Sequence, residues 1–245
     1  MIDTHAHLDA LEDADGAVER ARAAGVTRIV SVGTDPESWR RTLAIVNRHD
    51  GVYAALGLHP HEAGDDDAVA ALRDALADPR AVAVGETGLD YYRDHAPRDA
   101  QRRAFAAQLE LATELRMPAI IHTRAADADT VSMLVSFEGT TVMHCFSSAP
   151  LLEPALEHGW YISFAGNVTY KNAYDLRAAA RAVPAERLLA ETDSPYLAPQ
   201  AKRGKPNEPA YVVHTVAALA EARGEDADEL AARIEANASE CFGLS

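Results

Sequence analysis

The chain has 245 residues, 48% hydrophobic and 25% charged, with 38 acidic against 23 basic side chains and a formal net charge of -15. These proportions exclude a disordered, collagenous or disulfide-stapled chain, and the acidity excludes a protein that coats nucleic acid or an anionic membrane through a basic face. The length suits one (β/α)8 barrel, which takes roughly 250 residues.

Short apolar runs rich in β-branched residues alternate along the chain with longer amphipathic stretches. A first strand is predicted at Met1–His5 and a second at Arg28–Gly33, after which Asp35-Pro36-Glu37 opens a helix with a capping carboxylate and a proline in its first turn. A third strand, Val52–Leu58, precedes the acidic run Asp65-Asp66-Asp67, expected as the solvated start of a helix. The fourth strand, Ala81–Gly85, leads to the clearest helix, Asp99–Arg116, where Phe105, Leu109, Ala112 and Leu115 recur at helical spacing. Strands follow at Ala119–Thr123, Thr141–Phe146, Tyr161–Ala165 and Leu188–Thr192, then a polar, proline-rich loop from Pro195 to Pro209 and a last helix over Ala227–Glu240. Gly25, Gly159 and Gly224 stand where helices should stop. Eight strands, each followed by a helix, predict an α/β fold with a parallel sheet closed into a (β/α)8 TIM barrel, one domain over residues 1–245. An open, doubly wound sheet is the competing architecture.

Cys145 and Cys241 lie too far apart in sequence to suggest a disulfide framework, and Cys145 is expected to face the helix layer as a packing residue. The opening MIDTHAHLDA has no basic segment followed by an apolar one, and no apolar run reaches the ~18 residues of a membrane span, so a cytoplasmic protein without membrane contact is expected. Lys171, Lys202 and Lys205 are the only lysines, a bias that fits either salt adaptation or codon usage.

The ionisable residues cluster at one end of the strands. His5 and His7 close the first, His59 and His61 follow the third, Glu86 ends the fourth, His122 and His144 lie near the ends of the fifth and sixth, and Asp193 follows the eighth. In a barrel those ends meet at one mouth, where active sites of this fold are built. His5 and His7 stand at i and i+2, so on an extended chain both imidazoles point the same way and form a natural chelate. Four imidazoles and two carboxylates exceed one tetrahedral site with an open position and suit two divalent ions sharing a carboxylate. Chain geometry assigns His5, His7, Glu86 and Asp193 to one ion and Glu86, His122 and His144 to the other. Glu191 is left as a structural or supporting candidate. The mixed donors admit zinc, manganese or iron.

The segments Asp3-Thr4-His5-Ala6-His7, Gly57-Leu58-His59-Pro60-His61, Gly85-Glu86-Thr87-Gly88-Leu89-Asp90-Tyr91-Tyr92, Ile121-His122-Thr123-Arg124, His144-Cys145-Phe146-Ser147, Glu191-Thr192-Asp193-Ser194-Pro195 and Arg203-Gly204-Lys205-Pro206-Asn207 form an ordered series. In that series the chain closely resembles the TatD family of metal-dependent hydrolases, within the amidohydrolase-like barrels. Ser148 and Thr123 depart from residues common in the family, at positions outside the proposed ligands. The resemblance implies a metal-dependent deoxyribonuclease, often a 3′ to 5′ exonuclease on single-stranded or damaged DNA, and it adds magnesium to the candidate ions. Members linked to RNA and to D-aminoacyl-tRNA leave ester or amide hydrolysis as the alternative, and a barrel that only binds metal as a third reading.

On the nuclease reading, Asp193 and Glu86 act catalytically, Asp193 holding or deprotonating the attacking water. His59 or His61 donates a proton to the leaving oxygen or binds a phosphate. Arg124, Lys202, Arg203 and Lys205 are expected to meet flanking phosphates. A net charge of -15 is compatible with such a substrate if two dications reverse the local sign at the mouth.

Overall fold

The computed structural model describes residues 1–64 and 66–244. Eight strands form one sheet in sequence order: β1 (Ile2–Ala6), β2 (Arg28–Gly33), β3 (Val52–Leu56), β4 (Ala81–Asp90), β5 (Ala119–Arg124), β6 (Thr141–Met143), β7 (Tyr161–Phe164) and β8 (Leu188–Ala190). Every neighbouring pair is parallel. A doubly wound sheet would reverse its strand order at a switch point, and this one does not. Past the end of β8 the chain turns back onto β1: Ala6 bridges Ser194, His7 N donates to Ser194 O at 2.8 Å and Asp193 N donates to His5 O at 2.9 Å. These bonds close the (β/α)8 barrel and set Asp193 beside the two histidines of β1.

The connecting helices are α1 (Ala14–Ala23), α2 (Pro36–Val46), α3 (Asp66–Ala75), α4 (Arg98–Leu115), α5 (Asp127–Leu134), α6 (Leu152–Glu157), α7 (Tyr174–Ala182), α8 (Val212–Arg223) and α9 (Ala227–Phe242). The Asp35 carboxylate caps α2 by accepting from the amides of Glu37 and Ser38, with Pro36 in the first turn. Asp226 caps α9 in the same manner. On α4, Phe105, Leu109 and Ala112 are buried as the periodicity predicts. The solvation expected of the run at Asp65 lies outside the described residues. No helix is long and apolar enough to cross a membrane among the described residues.

Strand limits differ from the sequence expectation where the mouth is built. β6 and β8 stop after three residues each, because their chains turn to bring His144 and Asp193 over the barrel end. β4 instead runs on to Asp90, so Glu86 lies within the strand rather than at its end. Two glycines make that extension possible. Gly85 and Gly88 have φ of 144° and 136°, and a Cβ would lie 2.7 Å from the Ile120 carbonyl oxygen at the first and 2.0 Å from that of His122 at the second. Backbone thus packs on backbone where β4 meets β5. Gly88→Ala combines steric clash with a disfavoured φ; we expect a loss of about 3 kcal/mol, read as a fall of roughly 10 °C in Tm by thermal unfolding. An unchanged Tm would contradict this close approach.

Candidate metal centre

All six expected ligands meet inside the mouth. His5 Nε2 lies 3.3 Å from His7 Nε2, and each faces Asp193 Oδ1, at 3.9 and 3.5 Å. Glu86 stands between two groups of imidazoles. Its Oε2 lies 3.5 Å from His5 Nε2 and 3.7 Å from His7 Nε2. Its Oε1 lies 2.8 Å from His122 Nδ1, 3.1 Å from His144 Nε2 and 3.5 Å from His59 Nε2. The rings of His5 and His144 stack at 3.9 Å, which makes the two groups contiguous.

On the His5 and His7 side the spacing fits a cation, whereas His122 and His144 each approach Glu86 in a separate group of donors. Donors ~2.1 Å from a tetrahedral zinc lie ~3.4 Å from one another, close to the separations among His5, His7, Glu86 and Asp193. Donor atoms of His5, His7 and Asp193 fall within 4.8 Å of one another, as do those of His59, Glu86 and His122, and of His5, Glu86 and His144. The arrangement turns one Glu86 oxygen to each group of imidazoles.

Charge within the cluster is self-consistent. Burial acts to raise the Glu86 carboxyl, but His144 first and His122 beside it overcome this and hold the group well below the usual carboxylate range. Burial acts to lower His144, and Glu86 and Glu191 reverse this, placing its pKa well above the ordinary histidine value. Asp193 likewise stays ionised against burial through His7, His144 and His5. His59 is different: burial dominates and pushes it down to about 4, leaving a neutral ring near pH 7. His59 Nδ1 accepts from the His61 amide, so Nε2 carries the hydrogen that faces Glu86.

A supporting layer orients these donors. Glu191 Oε1 accepts from His144 Nδ1 at 2.9 Å and from the Cys145 amide at 2.8 Å. Its other oxygen is buried without a hydrogen-bond partner among the described residues. Asp3 accepts from the Thr192 amide at 2.8 Å and its hydroxyl at 2.6 Å, fixing the residue before Asp193. Burial pushes the Asp3 carboxyl up to about 8 against those bonds.

Asp90 is a member of the site that the sequence reading missed. Its Oδ2 lies 2.9 Å from His61 Nε2 and 3.4 Å from His122 Nε2, so it ties the loop after β3 to a proposed ligand. Glu86, Gly88 and Asp90 alternate along one extended segment, a signal that was available. His95 stacks edge-on against His61 at 4.7 Å and was also missed.

Cys145 corrects an expectation. β6 ends at Met143, so strand alternation no longer applies, and Cys145 turns at φ 47°. Its Sγ joins His144 and Glu191 in a cluster of potential donors instead of facing the helix layer. Burial, then Asp193, Glu191 and Glu86, raise its thiol well above the usual range and keep it protonated.

The expected phosphate contacts each lie over an aromatic ring. Arg124 ends β5 with its guanidinium 4.0 Å from the Tyr92 ring centroid. Lys202 and Arg203, on the loop after β8, lie over Tyr211 at 4.7 Å and Tyr170 at 4.6 Å.

Residues 2–243 match the family described as TatD related DNase. The chain is 39% identical over its whole length to the whole of YabD of Bacillus subtilis, named an uncharacterized metal-dependent hydrolase. It is 37% identical to a protein of Erwinia tasmaniensis named 3′-5′ ssDNA/RNA exonuclease TatD, with 95% of each chain covered. The crystal structure of YJJV, a TatD homolog from Escherichia coli, superposes with a TM-score of 0.94 at 33% identity, covering 100% of this chain and 98% of that one. By sequence and fold together, the chain belongs to the TatD related DNase family of metal-dependent hydrolases.

Proposed function

We propose that the protein hydrolyses phosphodiester bonds of single-stranded nucleic acid, removing nucleotides from the 3′ end, with two divalent ions held by His5, His7, Glu86 and Asp193 on one side and Glu86, His122 and His144 on the other. The observation that carries this reading is the two-sided Glu86, with one oxygen turned to each imidazole group. Zinc or manganese suits these donors best, and magnesium is admitted by the two carboxylates. When bound, such ions acidify a water and screen the negative charge that builds on the phosphate oxygens.

The chain's own residues supply the remaining chemistry. Ionised Asp193 accepts the proton as the water oxygen attacks phosphorus, and the bond from phosphorus to the leaving oxygen breaks. His59 is turned toward Glu86 and is the more enclosed ring, so His61 is the better placed to give a proton to that leaving oxygen. Its ring is partly exposed and is oriented by Asp90. Arg124, Lys202 and Arg203 provide positive charge for flanking phosphates on an otherwise acidic surface. The two free cysteines suit a reducing compartment, and we place the protein in the cytoplasm.

The test offers end-labelled single-stranded DNA and RNA, an aminoacyl-tRNA and a simple amide to purified protein, with chelator and after return of zinc, manganese or magnesium. Stepwise loss from the 3′ end is expected, abolished by chelation and restored by metal. Cleavage of the ester or amide alone would move the assignment to carbonyl hydrolysis. DNA cleavage that survives chelation would mark a contaminant.

A further inference from the structure

Among the described residues, three of the four exposed large side chains counted as hydrophobic are tyrosines: Tyr92, Tyr174 and Tyr196. All three follow the carboxyl ends of strands, β4, β7 and β8, and so ring the mouth. Exposed aromatic faces confined to the rim of a site point to a ligand with flat faces of its own.

Tyr92 and Tyr196 are the most informative pair. They leave β4 and β8, which are four places apart in a ring of eight strands, so they stand on opposite sides of the mouth with the histidine cluster between them. Tyr196 is 58% exposed and its ring meets that of His7 edge-on at 5.9 Å. Tyr92 is 64% exposed and carries the Arg124 guanidinium on one face. Arg124 has no carboxylate partner among the described residues. Tyr91, the next residue, shows the contrast: its hydroxyl donates to Asp129 at 2.7 Å, and Arg98 lies over its ring, so it is committed to the fold.

The backbone that carries each exposed ring is also held from below. The Tyr92 amide donates to Asp90 Oδ1 at 2.9 Å, and the Tyr196 carbonyl accepts from Asn207 Nδ2 at 2.6 Å. Asp90 and Asn207 are each 1% exposed. Asn207 Nδ2 also donates to the Thr192 carbonyl, next to Asp193. Each tyrosine is therefore anchored by a buried polar side chain that also touches the site, which lowers the ordering cost of binding.

We propose that Tyr92 and Tyr196 are two stacking platforms that take unpaired bases on either side of the scissile phosphate, an inference that rests on the nuclease reading above. Stacking onto tyrosine is tolerant of sequence because every base has a flat face, and Arg124 adds a cationic contact beside one of them. Duplex bases keep their faces against their neighbours and cannot use the platforms. Selection for single strands thus comes from the rim, while the metal cluster handles a phosphodiester of either form.

The test measures binding of metal-loaded protein to single-stranded DNA with slowly cleaved phosphorothioate links and 2-aminopurine near its 3′ end. Wild-type protein should quench the 2-aminopurine on binding. Tyr92→Ala and Tyr196→Ala should each raise Kd about tenfold and lose part of the quenching, whereas Tyr→Phe at either site should retain both. An abasic sugar in place of the stacked base should weaken wild-type binding and leave the matching alanine variant unchanged. Alanine variants with wild-type Kd and quenching, alongside an active wild type, would overturn the platforms alone. A wild type that neither binds nor cuts any oligonucleotide would instead remove the nuclease reading. Metal content and Tm of each variant exclude a folding defect as the cause.

Discussion

Glu86→Gln should lower kcat/KM on single-stranded DNA by about three orders of magnitude, a loss of ~4 kcal/mol in the transition state. The reason is geometric before it is electrostatic. A carboxylate offers equivalent oxygens to His5 and His7 on one side and to His122 and His144 on the other. An amide has one oxygen, and its NH2 turns hydrogens toward whichever set it faces, so one of the two proposed cation positions would lose its oxygen donor from this residue. The charge matters as well, because Glu86 is the anion that holds His144 well above its ordinary pKa in the metal-free protein. Metal stabilisation provides an independent readout. An ion present at 100 times its Kd adds about 2.7 kcal/mol to folding stability, so adding metal should raise the wild-type Tm clearly and that of the variant far less. Full activity with two ions still bound per chain would sink the bridging role.

The sequence carried the parts of this centre that depend on alternation and strand ends. His5 and His7 point together because a strand repeats every two residues, and Asp193 reaches them because β8 closes against β1. What alternation could not supply was the behaviour of chain that leaves the sheet. Cys145 would face outward on a continuing strand, but β6 ends two residues earlier and the turn at φ 47° brings its sulfur inward. β4 failed in the opposite direction: a strand expected to stop at Gly85 continues, because backbone-on-backbone packing against β5 needs glycine at both 85 and 88. That continuation is what sets Asp90 against His61 and His122. A sequence shows that glycine removes bulk, but not which neighbouring backbone occupies the space. The rim was legible only in part. Arg124 was expected to meet phosphate, yet its ring partner Tyr92 comes from the neighbouring strand's loop, a contact that depends on the register of β4 on β5.

Glu191→Gln and Glu191→Ala should separate two duties of one buried carboxylate. Glu191 Oε1 accepts from both His144 Nδ1 and the Cys145 amide, which fixes the hydrogen on Nδ1 and leaves the Nε2 lone pair for a metal on the Glu86 side. Glutamine can keep its oxygen at that point, preserving the tautomer while removing the charge; a loss of about tenfold in metal affinity is expected. Alanine removes both, and the loss should approach about 100-fold, the upper end for partners of metal-bound histidines. The metal-free protein gives a second readout, with a definite sign. Against the effect of burial, Glu86 and then Glu191 raise the folded-state pKa of His144 well above 6.5. That contribution to stability is fully present below pH 6.5 and is lost as pH rises through the raised value. Glu191→Gln should therefore destabilise the metal-free protein most in mildly acidic solution, with the gap to wild type narrowing as pH rises past the folded-state pKa of His144. A Tm difference that does not change across that range would mean that Glu191 holds the ring by packing rather than by charge.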